Sequence, residues 1–274
     1  MNIKIFVVFH KILDEIIFSN FTPEEMNKWF IRYGVNQKHP KSIIRIDGQK
    51  HDISNKRMKD VILEYNLPNY NANIQERGFM ETSCYVHVLE NALYEGADLI
   101  GICQYDMIWT LEACEILRSL ARNKTCNFSK VFGIQVGELM NTFGVLHPLT
   151  FADRINWKFL LNSYNRHFST NHQPKILMQK PFSLFQTYLL PTKQFIELAS
   201  WLKILSDELY PSHCMPPYET HWGSLSGKTE RAESIFVAAR IHENRLTFQN
   251  LPLDHNEGIV KGLGITKDHY GKLT

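Results

Sequence analysis

Asp106 is the residue whose setting most demands an explanation. It closes ADLIGICQYDM, Ala97 to Met107, an apolar run with every mark of a buried strand that ends in Gln104-Tyr105-Asp106 and then turns apolar again. A carboxylate in such a place must be hydrogen-bonded, paired with a cation or bound to a metal ion, because desolvating it alone costs several kcal/mol. Capping a following helix or pairing with an arginine is the ordinary way to meet that demand. A second polar pair, His10-Lys11, ends the apolar run IKIFVVFHK near the start of the chain.

The elements that must position these residues follow from periodicity. Ile3 to Lys11 is β-branched and aromatic without a helical period, which predicts a buried first strand. Met80 to Tyr94 carries Tyr85, Val88, Leu89, Ala92 and Leu93 at helical spacing, with Gly96 as a C-terminal stop. Ala97 to Tyr105 is then a strand, Thr110 to Arg122 a helix and KVFGIQV a third strand. FSLFQTYLL is a further strand, Thr192 to Leu209 a helix capped by Thr192, Lys228 to His242 another helix, and RLTFQNLPL a late extended segment. The segment before Asn73 alternates polar stretches with short apolar runs and gives few firm elements. Alternating strands and helices predict one α/β domain with a mixed, mostly parallel sheet flanked by helices, whose ligand lies at the carboxyl ends of the strands. Asp106 and His10-Lys11 both stand at such ends.

Composition sets outer limits. The chain has 274 residues, 44% hydrophobic and 21% charged, with a formal charge of +2, which is ordinary for a soluble protein and leaves no nucleic-acid footprint. Its five cysteines lack CxxC spacing and read as reduced thiols. The first apolar run is short and is interrupted by His10 and Lys11, so neither a secretory signal nor a membrane span is expected and the expected compartment is cytosolic. No GxGxxG follows the first strand and no GxxxxGK[ST] or GxSxG occurs, which takes support from dinucleotide, P-loop and α/β-hydrolase chemistry.

LIGICQYDM resembles the strand of nucleotide-sugar glycosyltransferases of GT-A fold that ends in a short acidic motif, whose last carboxylate holds a divalent cation against the donor diphosphate. The order KIFVVFHK, GFMETSCYVHVLEN, ADLIGICQYDMIW is similar to a family of capsular-polysaccharide glycosyltransferases and its relatives in large DNA viruses. The matching residues are His10, Lys11, Glu81, Thr82, Gln104 and Tyr105. Asp106 and Met107 stand where many members have two arginines, and Gln104 stands where the acidic motif has its first aspartate, so one carboxylate is left for a metal. The loop-helix segment HWGSLSGKTERAESIFVAARI resembles the family's late Glu-Arg motif at Glu230 and Arg231.

That resemblance implies a GT-A-like (Rossmann-like) single domain over residues 1–274, with a donor nucleotide half to about residue 140 and an acceptor half beyond it. It implies Mn²⁺ or Mg²⁺ held by Asp106, with His255 as a second ligand and His221 as a weaker one. The donor, a nucleoside diphosphate sugar of the UDP type, is expected against Val7, Phe9, His10, Lys11, Arg77, Glu81, Gln104, Tyr105, Asp106 and Arg231. A carboxylate in the first turn of the Lys228 helix would be favoured as the anion by the helix dipole, which makes Glu230 the candidate base, with Glu219 and Asp254 as competitors; Lys228 and Arg231 could face phosphate. Trp222, between Pro217 and Gly223, is placed to stack on an acceptor sugar, the hydroxyl of a growing glycan or glycoprotein glycan. Inversion at the anomeric carbon is the expected outcome, because it needs only one such base and no protein nucleophile is evident. If the chain is viral, the compartment is the host cytoplasm. A sugar nucleotidyltransferase and a non-catalytic glycan-binding protein of the same fold are the alternatives.

Overall fold

The structure is a computed structural model and describes residues 1–9, 12–35, 43–46, 49–52, 61–76, 79, 81–123, 129–138, 157–174, 181–213 and 225–255. Its strands are β1 (Ile3–Phe9), β2 (Ile12–Asp14), β3 (Phe30–Gly34), β4 (Ile43–Ile46), β5 (Gln49–Asp52), β6 (Val61–Leu63), β7 (Leu99–Gln104), β8 (Met107–Trp109), β9 (Lys130–Glu138), β10 (Pro181–Pro191), β11 (Thr247–Asn250) and β12 (Leu253–His255). Its helices are α1 (Pro23–Trp29), α2 (Ala72–Glu76), α3 (Thr82–Glu90), α4 (Leu111–Arg122), α5 (Trp157–Phe168), α6 (Thr192–His213) and α7 (Leu225–His242).

Seven strands form one sheet in the order β11-β9-β10-β7-β1-β3-β6. β1 runs parallel to β3 and β7, and β10 runs antiparallel to both of its neighbours, so the sheet is mixed and mostly parallel. The chain travels outward from β1 through β3 to β6 and returns to β7 on the other side of β1. The strand order therefore reverses between β1 and β7, and the crevice outside the carboxyl ends of such a pair is where open α/β sheets hold their ligands.

β1 is buried on both faces, which is why it lacks a polar side. Ile5, Val7 and Phe9 join one core with Trp29, Cys114 and Leu117, while Phe6 and Val8 join the other with residues of α3, α5, α6 and α7. Alternation continues along β7, where Leu99 and Cys103 share the first core and Ile100 and Ile102 the second. Gly101 lies between them in a tight space, since a Cβ there would lie 3.0 Å from Ile5 Cγ1 and would push that side chain aside. Burial raises the thiol pKa of Cys84, Cys103 and Cys114, which are free cysteines of these cores. Among the described residues no helix is long and apolar enough to cross a membrane.

Three expected elements differ in detail. The helix expected to Tyr94 ends at Glu90, because Ala92 takes a left-handed φ of 52° and closes the end by donating from its N–H to Leu89 O while Leu93 N donates to Val88 O. Gly96, expected as the stop, instead serves the next turn with φ 74°. Thr192 opens α6 without capping it: its hydroxyl donates to Ala97 O at 2.6 Å and so ties the helix start to the turn before β7. α7 begins at Leu225, three residues before the expected Lys228.

Ala92 offers a direct test of the first correction. A non-glycine residue in this conformation carries a strain of about 1–2 kcal/mol, part of which glycine's larger unfolded-state entropy would offset. Ala92→Gly is expected to raise stability by roughly 0.5 kcal/mol, read as a higher urea midpoint at unchanged slope; a lower midpoint would mean that the Ala92 methyl contributes more by packing than its backbone loses by strain.

Candidate active site

Asp106 lies in the turn that follows β7, and its neighbours are fixed from below. Tyr105, Met107 and Trp109 are buried in the core shared with α1 and α4. β8 then leaves the main sheet and pairs antiparallel with β12, placing Met107 opposite His255 and Ile108 opposite Asp254. The Thr110 hydroxyl donates to Pro252 O at 2.6 Å and accepts from Ala113 N, so one side chain both clamps the approach to β12 and caps α4. The helix cap, the ordinary explanation for Asp106, is thus supplied by Thr110.

What meets Asp106 is His255, whose Nε2 lies 3.2 Å from Asp106 Oδ2. The carboxylate is 3% exposed, and its other oxygen, Oδ1, is buried without a hydrogen-bond partner. Leaving such an oxygen unmatched costs on the order of 1–3 kcal/mol or more for a charged group. A carboxylate oxygen beside an imidazole nitrogen is a donor set suited to a divalent cation. Among the described residues no group of three or more His, Cys, Asp or Glu could hold a metal, so two protein ligands would leave the remaining positions to phosphate oxygens and water, as Mg²⁺ sites commonly do. Asp254 alternates to the opposite face of β12 and is exposed, so it does not join this pair.

A second polar group adjoins the end of β7 from the other side of the sheet. Between Ser183 and Tyr188 the β10–β9 register shifts, and within this bulge Gln186 adopts a left-handed φ of 45°. Thr187 Oγ1 accepts from Gln104 N at 3.3 Å, and Gln186 Nε2 donates to Ser226 O at 3.2 Å, so the bulge joins the last residue of β7 to the first turn of α7. The Thr82 and Thr229 hydroxyls meet at 2.6 Å, and Ser226 Oγ donates to Glu81 Oε2 at 3.5 Å. These contacts gather the amino ends of α3 and α7 at the bulge. Left-handed backbone in a buried non-glycine residue costs of order 1–3 kcal/mol and persists where its surroundings over-determine it.

The expected site residues divide accordingly. Asp106 and His255 come together; Glu81 and Glu230 both come within charge range of Glu233. Glu230 is corrected from first to second turn, because α7 starts earlier, so the dipole of that turn no longer explains it. It is 6% exposed and pairs with the fully buried Arg231, whose guanidinium also donates to Gly227 O at 3.3 Å. Val7 and Phe9 turn their side chains into the core, so a donor at this edge would meet their backbone. Gln104 is half-buried and held by Thr187. His10, Lys11, Arg77, Glu219, His221 and Trp222 lie outside the described residues.

Gln186, Thr187, Ser226 and Glu233 were missed from sequence. Their signals were a polar Gln-Thr pair inside the apolar run FSLFQTYLL and a helix with neither an apolar stripe nor a polar face. Glu233 is fully buried, and burial, then the charge of Glu230, pushes its carboxyl well above the usual range, with Glu81 adding to this and Tyr85 and Arg231 opposing it. Geometry agrees. The Tyr85 hydroxyl lies 3.1 Å from Glu233 Oε2 and 3.2 Å from Gln186 O, and one phenol proton cannot serve two acceptors fully. A protonated Glu233 resolves this by supplying the proton between the two side chains, which frees the phenol to donate to the strained bulge.

Among solved structures the fold is similar to the apo structure of a bifunctional glycosyltransferase, WbbM, with a TM-score of 0.56 at 11% sequence identity. The likeness covers 92% of this chain and 45% of that one, so the chain spans less than half the length of that protein. No family model matches the chain, and no curated protein matches it by sequence.

A neutral Glu233 has a measurable signature. Above the ordinary glutamate pKa of about 4.3 the unfolded state releases a proton that the folded state keeps, so stability falls as pH rises toward the folded pKa. Glu233→Gln removes this linkage. Its stability relative to the natural protein is expected to improve between pH 5 and pH 8, by at most about 1.4 kcal/mol per unit, in urea titrations at several pH values; a difference that stays flat would show Glu233 ionised in the fold.

Proposed function

We propose that the chain is a divalent-cation-dependent glycosyltransferase that moves a sugar from a nucleoside diphosphate donor, of the UDP type, to a hydroxyl of a growing glycan with inversion. The observation that carries this reading is the buried, unmatched Oδ1 of Asp106 beside His255, outside the carboxyl end of β7 where the strand order reverses. The glycosyltransferase fold of the structural neighbour is compatible with it.

In this reading Asp106 and His255 hold Mn²⁺ or Mg²⁺, which when bound supplies charge neutralisation for a departing diphosphate. The crevice between β1 and β7 orients the nucleotide, and the backbone at Phe9 and Gln104 forms its floor. Glu230 takes the acceptor proton, and Arg231 fixes its carboxylate in place. Asp254 is set aside as a base because it faces away from His255, and Glu219 remains its competitor. Inversion suits a site with one such base and no assigned protein nucleophile.

Asp106→Asn tests the reading, since it keeps the shape and removes the charge. Release of nucleoside diphosphate from a panel of nucleotide sugars is expected to fall at least about 100-fold, with Mn²⁺ affinity lost in calorimetry and the melting temperature retained. Glu230→Gln is expected to lower kcat for transfer by about 10²–10⁴ with donor affinity unchanged. Undiminished turnover in Asp106→Asn across a Mn²⁺ titration would sink the proposal; in the natural protein, release of pyrophosphate would make the chain a nucleotidyltransferase, and neither product a glycan-binding protein.

A further inference from the structure

The antiparallel ladder between β7 and β10 stops before either strand does. Its register runs from Pro191 opposite Leu99 to Tyr188 opposite Ile102 and, continued, would set Gln186 opposite Gln104. The Gln104 N–H faces β10, so a regular ladder would have it donate to Gln186 O. It donates instead to the Thr187 side chain, at 3.3 Å, while Gln186 O lies 3.2 Å from the Tyr85 hydroxyl. Each half of the missing backbone bond has been given to a side chain.

Tyr85 is itself held firmly. It is fully buried on α3, and its ring stacks on Phe195 of α6 with centroids 5.9 Å apart, which fixes the phenol oxygen. The Gln186 side-chain amide donates to Ser226 O and Oγ of α7, so the main chain and the side chain of Gln186 answer to different helices. The left-handed backbone of this residue persists because such contacts over-determine it. Among the described residues, Tyr85 is the side chain that meets the carbonyl withheld from β7. Glu233 lies on the other side of the phenol oxygen at 3.1 Å, and as the protonated acid derived above it donates there, which leaves the phenol proton to Gln186 O.

We propose that Tyr85 is a positioning residue for the candidate site: by holding Gln186 O it keeps β10 bulged and the Gln104 N–H on Thr187, and so sets the direction in which the chain leaves β7 toward Asp106. Gln104 is the last residue of β7, Asp106 follows two residues later, and Tyr105 between them is buried, so little slack separates the strand end from the carboxylate. Bulges beside active sites re-aim side chains in this way. That Asp106 then meets a cation rests on the reading proposed above; that Tyr85 sets the strand end does not.

The experiment compares the natural protein, Tyr85→Phe and Glu233→Gln by amide hydrogen exchange followed by NMR. The Ile102 amide is the internal reference, since Ile102 lies in the regular part of the same ladder. Tyr85→Phe keeps the ring and removes the donor. It is expected to lower the protection of the Gln104 amide about 2- to 10-fold, the range of one neutral hydrogen bond, with Ile102 unchanged. Glu233→Gln is expected to keep Gln104 protected, because its amide N–H replaces the acid O–H as donor to the phenol. A Gln104 amide as protected in Tyr85→Phe as in the natural protein, a loss shared equally by Ile102, or a loss in Glu233→Gln as large as in Tyr85→Phe overturns the proposal. Turnover of a nucleotide sugar supplies a second readout. There Tyr85→Phe is expected to need about 10-fold more Mn²⁺ for half-maximal rate, the effect of loosening the support of a metal ligand, with kcat retained; an unaltered Mn²⁺ requirement would also overturn it. Hydrogen exchange needs neither metal nor donor, so a natural protein without turnover would remove the transferase reading and leave Tyr85 in its role, and the reverse.

Discussion

Enclosing α7 is the constraint on which the rest of the protein depends. The helix packs against β10, α3, α5 and α6, and its residues from Leu225 to Arg240 are buried although the sequence between them is rich in Ser, Thr, Glu, Arg and Lys. Water cannot satisfy those groups, so the surrounding elements must present partners at fixed places. Thr229 finds Thr82, Ser234 finds Tyr188, and Arg240 lies over the Phe168 ring at 4.2 Å while pairing with Glu197 and Glu243. Apart from Glu243, which follows α7 directly, each partner comes from a different element, which fixes how α3, β10, α5 and α6 sit around the helix.

The two polar groups of the candidate site approach the end of β7 from opposite faces of the sheet. On one side Tyr105, Met107 and Trp109 sink into the core with α1 and α4, which holds Asp106 at the rim beside His255. On the other side the β10 bulge reaches α7. Gln104 joins the halves, because its side of the strand is shared with the bulge through Thr187 and it stands two residues before the carboxylate. A regular β10 would have paired straight through this region and left no polar group at the strand end.

Sequence made the site legible where polarity broke a strong pattern and silent where it did not. Asp106 stood out because an apolar strand ended on it, and that same periodicity gave β1, β7, α4 and the mostly parallel sheet. The pairing of His255 with Asp106 was implied only by resemblance, since a three-residue strand carries too little pattern to announce which partner it will choose. The first-turn setting expected for Glu230 did not hold: Leu225-Ser226-Gly227 reads as loop, yet tertiary enclosure overrides that propensity and extends α7 by most of a turn. The state of Glu233 could not be read at all, because a glutamate in SGKTERAES looks like one more solvated charge until the helix is seen to have no solvated face.

The contact between Asp106 and His255 spans 149 residues of chain. The entropy of closing a loop grows with the logarithm of its length, so a tenfold longer loop costs only about 2 kcal/mol more, but that cost falls before any contact returns it. β8 has no register of its own in the main sheet, and its ladder waits for β12. The strands β1, β3 and β7 can therefore assemble while the carboxylate is still solvated, and the centre is completed after its scaffold. During synthesis this order keeps Asp106 and His255 apart until nearly all of the described sheet has emerged.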